Sequence, residues 1–232
     1  MSVDTHRVLI GACDWNHPAW LNDFYSEDLP EEWQLGFYSN EFPVVYVSAA
    51  RWINNDELPE WNDEVSDTFR FILEIPYDIL NDESRFTSAL EQAKNLGDFC
   101  LGFVFKIKQN IDITLVQKHL NMARIIAPVC IDKCGTLLSD ELSDVLKQEN
   151  ISEVWDGRLG NNENLNRGSL AVTHIEEENI DMAALRKIIE GCLSVSTEER
   201  VSVLCFGGTS TSTSTSPSLE VLRNADIILN LL

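Results

Sequence analysis

The sequence predicts an α/β fold, a TIM-like (β/α) barrel of about eight parallel strands in a single domain covering residues 1–232. Three observations carry that expectation. Short, β-rich apolar runs recur along the chain with helical patterns between them. The runs are nearly continuous in apolar character, as strands buried on both faces must be. Finally, no GxGxxG fingerprint follows any run, which counts against an open dinucleotide-binding sheet.

In chain order the candidate strands are 8–12, 44–49, 69–75, 102–107, 125–131, 153–155, 170–175 and 201–206. Helix candidates lie between them. Residues 84–95 place Phe86, Leu90 and Ala93 on one face, and 113–122 bring Leu115, Val116, Leu120 and Met122 to helical spacing. Residues 139–148 open on Ser139 as an N-cap, with acids in the first turn. Residues 181–193 start from a capping Asp181, and 218–231 close the chain with Leu219, Leu222, Ile227 and Leu231. Eight units in 232 residues allow about 29 each, so connections must be short. Residues 52–68 read as an irregular acidic stretch, and 207–217 as a low-complexity Gly/Ser/Thr loop after the last strand.

The formal net charge is -21. Such a surface repels phosphate backbones and anionic lipid heads, so nucleic acid and membranes are disfavoured as partners. No apolar run approaches the roughly 18 residues of a membrane span, and the polar start of the chain does not resemble a signal peptide. The six cysteines, Cys13, Cys100, Cys130, Cys134, Cys192 and Cys205, are scattered without a CxxC pair. Most have apolar neighbours, and a reducing cytoplasm fits them best.

The N-terminal third carries Val8-Leu-Ile-Gly-Ala-Cys-Asp-Trp15, His17-Pro-Ala-Trp20, Phe24-Tyr25 and Asp28-Leu-Pro30. It continues with Leu35-Gly-Phe-Tyr-Ser-Asn-Glu-Phe42, Val45-Tyr-Val-Ser48 and Phe69-Arg-Phe71 up to Pro76. This stretch resembles the YecE-like family, also called domain of unknown function seventy-two. The resemblance implies a TIM-like barrel and supplies no reaction. Several family motif residues are replaced: a hallmark glycine by Asp14, the acid and amide of the second strand within Tyr46–Ala50, the third-strand lysine by Glu74 and an arginine by Tyr77. The pattern suggests a divergent paralogue that retains the scaffold and rewrites its polar rim.

Barrel enzymes hold their chemistry at the carboxyl ends of strands, so the candidate residues are sought there. Cys13, Asp14, Trp15 and His17 follow the first strand. They offer nucleophilic or acid–base groups, or else a plain loop in which Asp14 caps, Trp15 fills the mouth and His17 is solvated. Arg51 is either an anion clamp or the partner of a carboxylate in the acidic stretch after it. Glu74 and Lys106 are expected to pair across neighbouring strands, with Lys108 either on the same face or exposed beyond the strand. Asp132, Asp156 and His174 complete the candidate mouth. Gly207, Gly208 and Thr209 form a phosphate-type loop or a flexible spacer. No cofactor and no metal site is expected, because Cys130 and Cys134 have poor metal spacing. The sequence points first to a non-catalytic or altered protein that binds a small molecule or another protein. The alternative is a small-molecule enzyme with a phosphate-type site after the last strand. A nucleic-acid-processing barrel is weaker given the charge. Oligomeric state is left open.

Overall fold

A computed structural model describes residues 8–158, 163–176, 180–208 and 216–232. The strands are β1 (Val8–Cys13), β2 (Val44–Val47), β3 (Arg70–Ile75), β4 (Cys100–Lys106), β5 (Val129–Asp132), β6 (Ser152–Glu153), β7 (Leu170–Ile175) and β8 (Val201–Phe206). They form one parallel sheet in the order β6-β5-β4-β3-β2-β1-β8-β7. Its two ends meet through a parallel bridge between Trp155 and Thr173. There Trp155 N donates to Val172 O at 3.0 Å and His174 N donates to Trp155 O at 2.8 Å. The sheet is thus a nearly closed (β/α) barrel.

Alternation along each strand sorts its side chains to the two faces. Cys13, Val44, Tyr46, Ile72, Val104 and Cys130 belong to a separate inner cluster with residues of β7 and β8. Their strand neighbours, such as Phe71, Leu73, Phe103 and Phe105, pack outward in the larger cluster under the helices. Both faces are apolar, so the strands read as continuous runs. Two glycines allow the close approaches inside. A Cβ on Gly11 would lie 1.9 Å from Val44 O, and one on Gly102 would lie 2.4 Å from Leu170 Cδ2.

The helical layer is α1 (Gln34–Ser39), α2 (Ala49–Trp52), α3 (Trp61–Glu64), α4 (Tyr77–Leu80), α5 (Glu83–Ala93), α6 (Ile113–Ala123), α7 (Asp140–Gln148), α8 (Met182–Val195) and α9 (Leu219–Leu229). Side chains of Asp82, Asp112, Ser139, Asp181 and Ser218 accept from first-turn amides and start the five longer helices. Between β6 and β7 the described residues provide only the 3₁₀ turn Glu163–Asn166. No helix among the described residues is long and apolar enough to cross a membrane.

Several expected boundaries and faces shift. β5 starts at Val129, not at position 125: Ile125 is 85% exposed and Pro128, lacking an amide hydrogen, precedes the strand. β2 ends at Val47, because Ser48 turns the chain into α2. β6 forms its ladder at Ser152–Glu153, while Trp155 makes the separate closing bridge. The stretch 52–68 is not wholly irregular, since it contains a 3₁₀ turn at Leu58–Glu60 and α3. On α6 the buried face is Val116, His119, Leu120 and Ala123, with Leu115 and Met122 only half-buried. On α9 it is Leu219, Leu222, Ala225, Ile228 and Leu229, so Ile227 and Leu231 face solvent.

Candidate functional site

The carboxyl ends of β4, β5 and β7 and the segment after β6 surround a cleft of about 700 Å³. Lys106, Asp132, Asp156 and His174 line it, together with Lys133, Glu153, Trp155, Arg158, Leu165 and Glu176. Glu74 lies beside it. Its Oε2 is 2.9 Å from Lys106 Nζ and accepts from Tyr46 Oη at 3.3 Å. The strand register explains the meeting: Glu74 pairs with Val104 on β4, two residues before Lys106, and Lys106 pairs with Asp132 on β5.

The cations of the mouth each lie against a carboxylate. Burial by itself would lower the Lys106 pKa, but the charge and hydrogen bond of Glu74, with Asp132 behind it, outweigh burial and raise it. Lys106 is therefore a fixed cation. Lys133 lies 3.4 Å and Arg167 3.6 Å from Glu153, and Arg158 lies 3.5 Å from Asp156. Asp132 Oδ1 accepts the Cys134 amide at 2.8 Å.

His174 is buried, and its ring stacks on Tyr46 with centroids 5.6 Å apart. Nε2 lies 2.5 Å from Gly207 O and 3.2 Å from Cys13 Sγ. A carbonyl oxygen can only accept, so Nε2 carries the proton and donates to Gly207. In the neutral ring that leaves Nδ1 as the acceptor. The Cys13 thiol is held well above its ordinary pKa by burial first, then by Cys205, Asp14 and Glu74. It is a contact of the histidine and has no thiolate character.

The remaining residues after β1 and β2 form a different group. Asp14 takes a left-handed backbone, φ 58, which a short polar side chain tolerates. Its Oδ1 accepts the Ser48 amide at 3.0 Å and lies 3.4 Å from Arg51 Nε. Arg51 thus pairs with the acid before it in sequence and not with the acidic stretch after it. It also binds Asn16 and stacks over Trp15 at 4.7 Å. Trp15 does not fill the mouth: it packs outside the strands, edge-on to Trp61 at 5.0 Å. His17 is buried, not solvated. Its Nε2 meets Cys13 O at 2.8 Å, its ring lies against Trp20, and burial lowers its pKa despite Asp14 and the backbone bonds.

After β8, the Gly207 amide donates to Ile175 O at 2.9 Å, so the strand ladder already uses it. Gly208 follows, half-buried, and Thr209 lies outside the described residues. Lys108 is exposed beyond β4, with its Nζ 5.1 Å from the Tyr77 ring centroid. No three metal-binding side chains converge among the described residues. Sequence reasoning missed Tyr46, Glu153 and Trp155. Strand parity could have found Tyr46, an inward residue two positions after Val44. Nothing in the sequence marks Trp155 as the residue that closes the ring.

A barrel of parallel strands with its polar groups gathered at the carboxyl mouth defines a TIM-like (β/α) barrel protein. A profile described as "Protein of unknown function DUF72" matches residues 9–130, and the chain belongs to that family. A crystal structure of a DUF72 family protein from Thermotoga maritima is similar, with a TM-score of 0.64 and 12% identity over 96% of this chain and 99% of that one. The type I 3-dehydroquinate dehydratase of Clostridium difficile gives a TM-score of 0.48 and 8% identity over 97% and 93% of the two chains. The likeness to the Thermotoga maritima structure bears on the fold alone. Among curated proteins none matches the chain.

Proposed function

We propose that this barrel is a binding protein whose mouth cleft holds a small, donor-rich polar molecule such as a polyol, a sugar or an amine. The observation that carries this reading is the pairing of the cleft's cations. Lys106, Lys133 and Arg158 each lie against a carboxylate, in the pairs with Glu74, Glu153 and Asp156. A ligand then meets acceptors: His174 Nδ1 and the carboxylate of Asp132. Trp155 and Leu165 supply apolar walls of the kind that orient small ligands. The same pairing counts against a phosphate-type site, and so does the Gly207 amide, which is engaged by Ile175.

A second reading, a small-molecule enzyme, rests on the tautomer of His174. With Nε2–H held by Gly207 O, Nδ1 could take a proton from a bound hydroxyl, and the fixed Lys106 cation would stabilise negative charge developing nearby. The replaced family residues Asp14, Glu74 and Tyr77 fit a divergent paralogue with an altered rim. The six free cysteines, among which Cys134 is exposed, suit a reducing compartment such as the cytoplasm.

Thermal-shift and calorimetric titration against neutral sugars, polyols, diamines and sugar phosphates tests the proposal. Neutral or cationic donors should raise the melting temperature, and Asp132→Asn and His174→Ala should each weaken them about tenfold. Tighter binding of the phosphates, unaffected by either variant, would overturn it. Turnover of a bound donor, abolished in His174→Ala, would favour the enzyme.

A further inference from the structure

A second concave region lies on the outer layer, built by the first two βα units. One hollow of about 580 Å³ has Leu29, Trp33 and Phe37 as its apolar surface, with Glu32, Glu60 and Glu64 around it. An adjoining hollow of about 320 Å³ shares those three glutamates and adds Glu31, Glu57 and Arg51. The two form one groove leading from α1 towards the rim of the barrel. Gly36 lines it, and a Cβ there would lie 3.0 Å from Glu64 O, a tight contact between α1 and α3.

Two properties set this groove apart from ordinary surface. Its aromatic side chains face solvent: Trp33 is 65% exposed and Phe37 43%. Large aromatics left exposed together in a concave patch mark interaction sites. Its charge is also one-sided. Glu31 is held by Asn16 Nδ2, and the lining cation Arg51 is bound to Asp14 and Asn16. Glu32, Glu57, Glu60 and Glu64 form no ion pair with a cation among the described residues. The crowding registers on Glu64, whose carboxyl is raised by burial first and then by Glu60 and Glu57. An occupant carrying positive charge would relieve that repulsion, and its apolar part would cover the aromatics.

We propose that this groove docks a basic peptide segment of a partner protein, with arginine or lysine seated among Glu32, Glu60 and Glu64 and a flanking apolar side chain on Trp33 and Phe37. The surface is separate from the mouth cleft and does not depend on what that cleft binds. Arginine suits it best, because a guanidinium can pair with carboxylates and stack on an indole at once.

The test is fluorescence anisotropy on the full chain with a short labelled peptide alternating arginine and leucine. Because the whole protein is acidic, the deciding comparison is between variants of equal charge. Glu60→Gln with Glu64→Gln removes two charges in the groove, and Glu198→Gln with Glu199→Gln removes two from the exposed turn before β8. The groove pair and Trp33→Ala should each weaken binding about tenfold, while the distant pair changes it less than about twofold. Equal losses in both charge pairs, or no loss in Trp33→Ala, would reduce the binding to general attraction and overturn the proposal. A concentration-dependent dimer abolished by Trp33→Ala would assign the groove to a second copy of the chain and overturn it as well.

Discussion

His119 stands on α6 with its ring flat against Phe86, the centroids 3.8 Å apart, and it is fully buried. Neither ring nitrogen has a hydrogen-bond partner. The spacing of Leu115, Val116, Leu120 and Met122 predicts a helix here, but it does not place a histidine on the buried face beside Val116 and Leu120. Burial lowers the His119 pKa, with Lys118 adding to it and Glu83 opposing. The unfolded chain therefore takes up a proton at about pH 6.5, where the folded chain still resists it. Stability is complete above that pH and declines as pH falls towards the lowered folded value. We expect urea unfolding to show a loss of stability as pH falls through about 6.5, part of which disappears in His119→Leu. His17, lowered in the same direction, keeps the remainder. That variant should also gain about 1 kcal/mol at neutral pH, since two unpaired polar atoms leave the interior. An unchanged pH slope in His119→Leu would contradict this account.

At the level of elements, the caps and strand cores were readable because each depends on local chemistry. Ser139 and Asp181 start their helices by accepting amides of the first turn, as their sequence positions implied. The contact of β1 with β2 was not readable, because it depends on how closely two backbones approach. Gly11 pairs in register with Val44, and any side chain there meets a carbonyl oxygen of the neighbouring strand. Gly11→Ala should therefore destabilise the protein by about 1–3 kcal/mol or more, because the obstacle is backbone that cannot rotate away. Equilibrium denaturation measures it, and a loss well under 1 kcal/mol would show that the strands can separate without cost.

Over the whole molecule, a net charge of -21 makes the folded state repel itself. Calorimetry should show the melting temperature rising as salt is increased to about 0.5 M, where exposed charges more than a few ångströms apart are screened. The buried Glu74–Lys106 pair is sheltered from that screening, so the rise reports the surface. A melting temperature that is flat or falling with salt would place the pairs, not the repulsion, in control. The same closed ring gathers the candidate mouth. Cys13 and His174 are 161 residues apart in sequence and touch across the inner face of the barrel. Parity could assign each of them to an inward position, but not to each other.

By itself, the sequence determined the elements and the family. Apolar runs buried on both sides, local caps and the N-terminal motifs depend on residues close together in the chain. Only the tertiary structure decided which charges meet, that Trp15 and His17 pack away from the mouth, and that Trp33 and Phe37 remain uncovered. Those outcomes depend on ring closure and inter-strand register, which bring together side chains far apart in sequence.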